Sequence, residues 1–329
     1  MNAFTEKLAG YIDRKCLAPA FLFVFVIPTV LRNIIVVNIN SSFVPIKSER
    51  KHNETSTSGN YSNQWTTTGK HSNFDLWKIT LKSSNFLPAH LYQFRAALTY
   101  NEYCLYLDLL TVFAKTMELH DLPYMIYGGT LLGSVRHHDF IPWDDDVDVL
   151  ARKEDQGKML QIFKNFEPFY YIYRSAFNKY AWKFFSSRSV NTTYFYGWKW
   201  PFIDIFWYQE NETHIEEWSG MTNEEVLFHK GEIFPLTKRP FGNLSLYAPY
   251  RSSDLSDKLY GSYDCRARSY SHRDEAKFRN RQVITVACHE LEEFYPFVNH
   301  IISNKTGLYE YLVLNKTQVA VKMRKHAFS

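Results

Sequence analysis

Residues 128–149 read GGTLLGSVRHHDFIPWDDDVDV, a double glycine followed by Asp144, Asp145, Asp146 and Asp148. The residues just before, YMIY at 124–127, have the make-up of a short strand, and TLLGSVRHH has the apolar spacing of a helix. A strand, a glycine pair and a helix in that order let backbone N–H groups approach a phosphate, with Gly128, Gly129 and Thr130 as the cradle and Thr130 as the helix cap. A Gly-Gly pair alone would more simply mark a tight turn needing positive φ.

The aspartates decide between these readings. Side chains alternate along a strand, so Asp146 and Asp148 are expected on one face about 7 Å apart, with Val147 and Val149 behind them. Asp144 joins that face if the strand starts early enough. Carboxylates crowded in this way repel one another, and a divalent cation, Mg²⁺ or Mn²⁺, relieves the repulsion while serving phosphoryl transfer. A third ligand is expected in WPFIDIFWY, residues 200–208, where Asp204 is the lone acid of an apolar strand and is unfavourable there without a cation. An EF-hand is excluded because Val149 occupies its glycine position. A solvated acidic turn conflicts with Phe140, Ile141, Trp143 and Leu150 around the run. An Asp-x-Asp site of a sugar-nucleotide glycosyltransferase is the second reading, although such a site does not call for the upstream Gly-Gly helix or the later Asp204 strand.

The rest of the chain sets the context. With 329 residues, 45% hydrophobic and 22% charged, it can bury a sizeable core. A net charge of +4 without a long Lys/Arg run leaves no nucleic-acid footprint. Residues 17–37 are apolar apart from a break at Arg32 and Asn33, and are long enough to span a bilayer. We read them as an uncleaved signal-anchor behind a cytoplasmic tail at 1–16; a cleaved signal peptide shares the basic start at Arg14 and Lys15. Both readings send the remainder into the secretory lumen, of the Golgi or the endoplasmic reticulum. Sequons at Asn40, Asn53, Asn60, Asn191, Asn211, Asn243, Asn304 and Asn315, all beyond the apolar run, agree with that side. Cysteine usage fits an oxidising compartment, with no CxxC or zinc spacing and one expected disulfide, Cys265 with Cys288.

Residues 38–86, rich in Ser, Thr and Asn, are expected to be a flexible stem, and 87–329 the catalytic domain, with its core at 123–273. ALTYNEYCLYLDLLTVFAKTMELHDL, residues 97–122, has the period of an amphipathic helix, and 284–328 shows helical spacing as well.

The 128–149 stretch resembles the signature of the LicD and fukutin-related family, in which Gly-Gly-Thr-Leu-Leu-Gly, an Arg-His pair and Ile-Pro-Trp-Asp-Asp-Asp recur together. WPFIDIFWY, IFPLTKRPFGNLSLYAP and LYGSYD resemble later blocks of that family in order and spacing, and the resemblance covers 123–273. It implies an α/β nucleotidyltransferase fold, a mixed sheet flanked by helices. It also implies transfer of a phospho-alcohol, phosphocholine in bacterial members and ribitol phosphate in the fukutin branch, from a CDP carrier to a glycan hydroxyl. Carried over residue by residue, Asp146, Asp148 and Asp204 become metal ligands. Gly128, Gly129 and Thr130 become the phosphate cradle, and Arg136 a partner of phosphate or of the acidic run, or a structural ion pair. Asp144 or Asp204 is expected to take the hydroxyl proton, and one of His137 and His138 to bear on the acceptor. Arg188 and Thr193, in SSRSVNTTY, fall in a family-like segment with no assigned contact. A catalytically silent luminal scaffold is the non-enzyme alternative, against which the intact acids count.

Overall fold

The computed structural model describes residues 65–68, 73–174, 181–192, 196–217, 226–303 and 307–324. The expected tail and anchor at 1–37 lie outside the described residues, as does Thr193. Among the described residues no helix is long and apolar enough to cross a membrane.

Strand β1 (Trp65–Thr68) and helix α1 (Asn73–Ser84) both fall within the stretch expected to be stem. Leu76, Trp77, Thr80 and Ser84 recur at helical spacing and are buried, and Trp77 stacks on Tyr103 with ring centroids 4.5 Å apart. Folded structure therefore begins earlier than residue 87. Helix α2 (Tyr100–Leu119) is the amphipathic helix expected from the sequence, opened by a capping box between Thr99 and Glu102.

The site is carried by a mixed sheet. Its parts follow as β2 (Tyr124–Ile126), α3 (Gly128–His137), β3 (Asp148–Arg152), α4 (Gln156–Phe163), β4 (Tyr170–Arg174), β5 (Trp182–Asn191) and β6 (Lys199–Glu210). The strand order is β2-β3-β6-β5-β4, extended from β6 by β7 (His214–Glu217) and β8 (Val226–His229). Among the described strand pairs of this sheet only β3–β6 is parallel, and its register sets Asp148 directly beside Asp204. Residues 200–208 of β6 are buried without interruption, as expected of a central strand covered on both faces. The α/β class and the mixed sheet flanked by helices agree with the sequence reading.

A hairpin of β9 (Thr237–Phe241) and β10 (Leu244–Ala248) precedes α5 (Ser252–Tyr260). Then β11 (Asp264–Arg266), the small hairpin β12 (Tyr270–Ser271) with β13 (Ala276–Lys277), and β14 (Thr285–Ala287) form a loop whose two ends pair. The expected Cys265–Cys288 disulfide closes it, and Cys104 is disulfide-bonded too, beyond the single bridge expected. The C-terminal part corrects the helical expectation for 284–328. It forms β15 (Phe297–Ser303), β16 (Gly307–Leu314) and β17 (Thr317–Arg324), an antiparallel sheet that β1 completes in the order β1-β17-β16-β15.

Candidate active site

Chain geometry gathers the acids at one place. Asp148 opens β3, and its backbone N–H donates to Thr130 Oγ1 at 2.8 Å, tying the start of the strand to the first turn of α3. Asp144 and Asp146 lie in the segment leading into β3, whose path is fixed by the Asp145 carbonyl; that oxygen accepts from Tyr106 Oη at 2.8 Å and Trp200 Nε1 at 3.1 Å. Gly128 stands at φ +54°, and a Cβ there would lie 2.6 Å from Asp148 Oδ2; one on Gly129 would lie 2.8 Å from Asp144 Oδ2. The glycine pair is thus where backbone must meet carboxylates closely, and the unbonded N–H groups of the first helical turn open beside them.

These carboxylates hold their protons unusually firmly. Burial first, then the charges of Asp146 and Asp145, pushes Asp144 well up, and burial followed by Asp146 and Asp204 does the same for Asp148. Asp146 is raised by burial as well, although His272 works against the shift. Asp148 Oδ1 is buried without a hydrogen-bond partner. An orphaned carboxylate oxygen in a cluster that resists ionising suits a divalent cation, whose charge would remove both penalties.

The described acids do not yet form a ready cage: among the described residues no three such side chains stand in metal-holding geometry. Two of them lean on side-chain cations instead. Asp204 Oδ1 is 2.8 Å from Lys183 Nζ, its cross-strand neighbour on β5, and Asp146 Oδ2 is 3.2 Å from His272 Nε2. Asp145 meets His272 and Arg268, at 3.3 and 2.6 Å. Burial opposes the charge of Asp145, yet the His272 hydrogen bond and Arg268 bring it down to about 2. Burial likewise opposes the His272 charge, while Asp146 and Asp145 hold the imidazolium up to about 10.

Other expectations are corrected. Thr130 does not cap α3; the cap position is Tyr127, and the Thr130 hydroxyl serves the Asp148 backbone. Tyr127 Oη donates to Glu217 on β7, beside the same acids. Arg136 sits at the far end of α3, where it donates to Gly261 O at 2.6 Å and Asp264 O at 3.0 Å against the disulfide sulfurs, so it binds the 261–265 segment and no acid of the run. His137 and His138 are buried away from the carboxylates, on Pro296 O at 2.7 Å and Glu310 Oε2 at 2.6 Å. A ten-residue helix separates them from Gly128 by about 15 Å. Arg188 pairs with Asp108.

Sequence reasoning missed Lys183, Arg268, His272 and Glu275. Lys183 did carry a signal: it is a lone cation in the apolar AWKFF of β5, the counterpart of lone Asp204 in β6.

Residues 121–251 match the family described as LicD/FKTN/FKRP, nucleotidyltransferase domain. The chain is 31% identical over 168 residues to the uncharacterized protein RT0683 of Rickettsia typhi, covering 50% of this chain and 49% of that protein. It is 37% identical over 57 residues to the lipopolysaccharide cholinephosphotransferase LicD of Haemophilus influenzae, covering 17% of this chain and 22% of LicD. It is 27% identical over 139 residues to the human ribitol 5-phosphate transferase FKRP, covering 40% of this chain and 26% of FKRP. The matches thus span half or less of these relatives' own lengths. Among solved structures, the lincomycin-bound lincosamide antibiotic adenylyltransferase LnuA is similar over 50% of this chain and 89% of its own, with a TM-score of 0.32 and 12% identity.

Proposed function

From the premise that residues 121–251 belong to the LicD/FKTN/FKRP family of nucleotidyltransferase domains, we propose that the protein transfers a phospho-alcohol, of the phosphocholine or ribitol phosphate class, from a CDP carrier to a glycan hydroxyl in the secretory lumen. The observation that carries this reading is the meeting of the α3 N-terminus, through Gly128 and Gly129, with the orphaned, buried carboxylate of Asp148. A helix start offers N–H donors to a diphosphate, and an unsatisfied carboxylate offers a ligand to its counter-ion. Asp146 and Asp148 would hold Mg²⁺ or Mn²⁺, with Asp204 joining as Lys183 yields. Such an ion supplies charge neutralisation on the diphosphate and acidifies a nearby hydroxyl.

The chain's own residues then have distinct tasks. Backbone N–H groups at 128–130 bind donor phosphate. Tyr127 and Tyr260 border the acids on the side of Glu217. The acceptor oxygen attacks the β-phosphorus in line, its bond to the bridging oxygen breaks, and CMP departs. With a cation offsetting the neighbouring charges that otherwise keep it protonated, Asp144, which unlike Asp204 has no lysine against it, would take the hydroxyl proton.

The test is CMP release by the full chain in detergent, with Mg²⁺ or Mn²⁺, a panel of CDP-alcohols and added glycan, beside Asp146→Asn and Asp204→Asn. Metal-dependent release abolished by both substitutions is expected. Turnover of UDP- or GDP-sugars in place of every CDP-alcohol would shift the assignment to a glycosyltransferase, and a folded protein inert to all donors to a scaffold.

A further inference from the structure

Three consecutive aspartates are more than a two-carboxylate metal grip needs, and the middle one is engaged elsewhere. The Asp145 side chain is 1% exposed and engages only the disulfide-closed loop. That loop lies beyond the 121–251 match. Cys265 and Cys288 are 23 residues apart with Cα atoms 4.9 Å from each other, so the loop leaves and returns at one point. Its far end, at the β12–β13 hairpin, lies on the acidic run. Asp145 accepts the backbone N–H groups of His272 and Arg273, each at 3.3 Å, and its carboxylate also lies 3.3 Å from the His272 ring and 2.6 Å from the Arg268 guanidinium.

His272 has a placement no other residue of the loop shares. Nδ1 is 3.3 Å from Asp145 Oδ1, and Nε2 is 3.2 Å from Asp146 Oδ2. Imidazole nitrogens point in diverging directions on a rigid ring, so one His spans two carboxylates that face apart. A carboxylate oxygen lies against each ring nitrogen, so both nitrogens are already engaged by acids. On the other side of the hairpin, Glu275 Oε1 accepts from Trp198 Nε1 at 2.9 Å and lies 3.5 Å from Lys183 Nζ, the partner of Asp204.

We propose that His272 is a positioning residue for the cation site: clipped to Asp145, it fixes one oxygen of Asp146 and so holds that carboxyl in place among Asp144 and Asp148, and the Cys265–Cys288 loop is the device that delivers it. This rests on the cation-site reading given under Proposed function. Partners that orient a metal ligand are typically worth about 10- to 100-fold in metal affinity.

The sign of the effect separates positioning from simple charge. His272 brings a positive charge to a cation site, so by Coulomb's law alone its removal strengthens metal binding; as a positioning group, its removal weakens it. The experiment is Mn²⁺ titration of the full chain in detergent, followed by the loss of the free-ion paramagnetic resonance signal. Wild type is expected to bind Mn²⁺ at a site that Asp146→Asn and Asp148→Asn abolish. His272→Gln and Asp145→Asn are each expected to weaken that site about 10- to 100-fold, and the double variant to be no weaker than the weaker single, because both break one clip. Should His272→Gln not fold, His272→Asn, whose short side chain presents a single amide and cannot reach both carboxylates, is read in its place with the same loss expected. Affinity unchanged or tightened in a folded His272 variant overturns the inference while leaving the cation site standing. Wild type that binds no Mn²⁺, or binds it irrespective of Asp146 and Asp148, removes the underlying reading and the inference with it.

Discussion

Gly128 combines two constraints that a side chain cannot meet at once, a backbone φ of +54° and an Asp148 oxygen 2.6 Å from where Cβ would stand. Left-handed φ costs an L-residue about 1–2 kcal/mol, a loss a folded domain survives. The steric conflict instead displaces the carboxylate, so Gly128→Ala is expected to lower CMP release by at least about 100-fold, the scale on which misplacement by an ångström acts, with only a modest fall in melting temperature. His137 makes a separate, pH-based case. Burial first, helped by Arg136 and His138 next to it, lowers its pKa to about 3, and because Pro296 O only accepts, Nδ1 carries the proton of the neutral ring. In the unfolded chain the value returns to about 6.5. Between those limits the unfolded state binds the extra proton, so the contribution is fully present above about 6.5 and is lost as pH falls toward about 3, by up to about 1.4 kcal/mol per pH unit. Urea midpoints at pH 7.5 and 5.0 should fall further apart in wild type than in His137→Asn, which keeps a donor for Pro296 and does not titrate; equal spacing would count against this account. At this scale the lone Asp204 was legible because a single acid in an apolar strand demands a partner. Lys183 sent the same signal from β5, but the two strands are far enough apart in sequence that only the β5–β6 register pairs them.

Whole elements were read with uneven success, for identifiable reasons. Helix α2 declares itself through capping residues and a long regular period. The C-terminal strands concealed themselves. β16 and β17 are joined by Asn315 and Lys316, both at positive φ, 46° and 60°, as the tight two-residue hairpin turn requires. With Lys in place of the usual Gly, the turn carries little sequence signal. α1 was hidden in a similar way, its buried stripe of Leu76, Trp77 and Thr80 following a tract of Ser, Thr and Asn. The C-terminal sheet is more than a cover. Glu310 of β16, fully buried, accepts from Arg239 Nη1 and Nη2 at 3.1 and 3.0 Å and from His138 at 2.6 Å, clasping the sheet to β9 and to the end of α3. Deleting one member of such a buried set leaves charge uncompensated, so Glu310→Ala is expected to cost about 3–5 kcal/mol in denaturant unfolding. Loss below 1 kcal/mol would mean that water reaches Arg239 readily and that the clasp is not a buried one.

At the scale of the whole molecule, folding brings together charges the unfolded chain keeps apart. Asp148 comes from one strand and Asp204 from its parallel neighbour, with Asp144 and Asp146 in the lead-in between α3 and β3. A cation held by Asp146, Asp148 and Asp204 together binds the native state and not the unfolded one, so it must stabilise the fold by an amount set by its concentration over Kd, about 2.7 kcal/mol at one hundred times Kd. Sequon exposure gives an independent check on compartment: Asn191, Asn211, Asn243 and Asn315 are all exposed, so expression in a secretory host should yield a ladder collapsed by endoglycosidase, and a single unmodified band would argue against a luminal domain. The cation effect is the sharper of the two, because it has a built-in control. Melting temperature of the full chain should rise with Mn²⁺ and continue to rise logarithmically beyond saturation, whereas Asp148→Asn, which removes the repulsion and the ligand together, should melt higher than wild type in chelator and show no response to Mn²⁺. A variant that melts lower than wild type in chelator would mean that the buried Asp148 carboxylate is satisfied by the protein alone, and the crowding of acids would then need an explanation other than a bound ion.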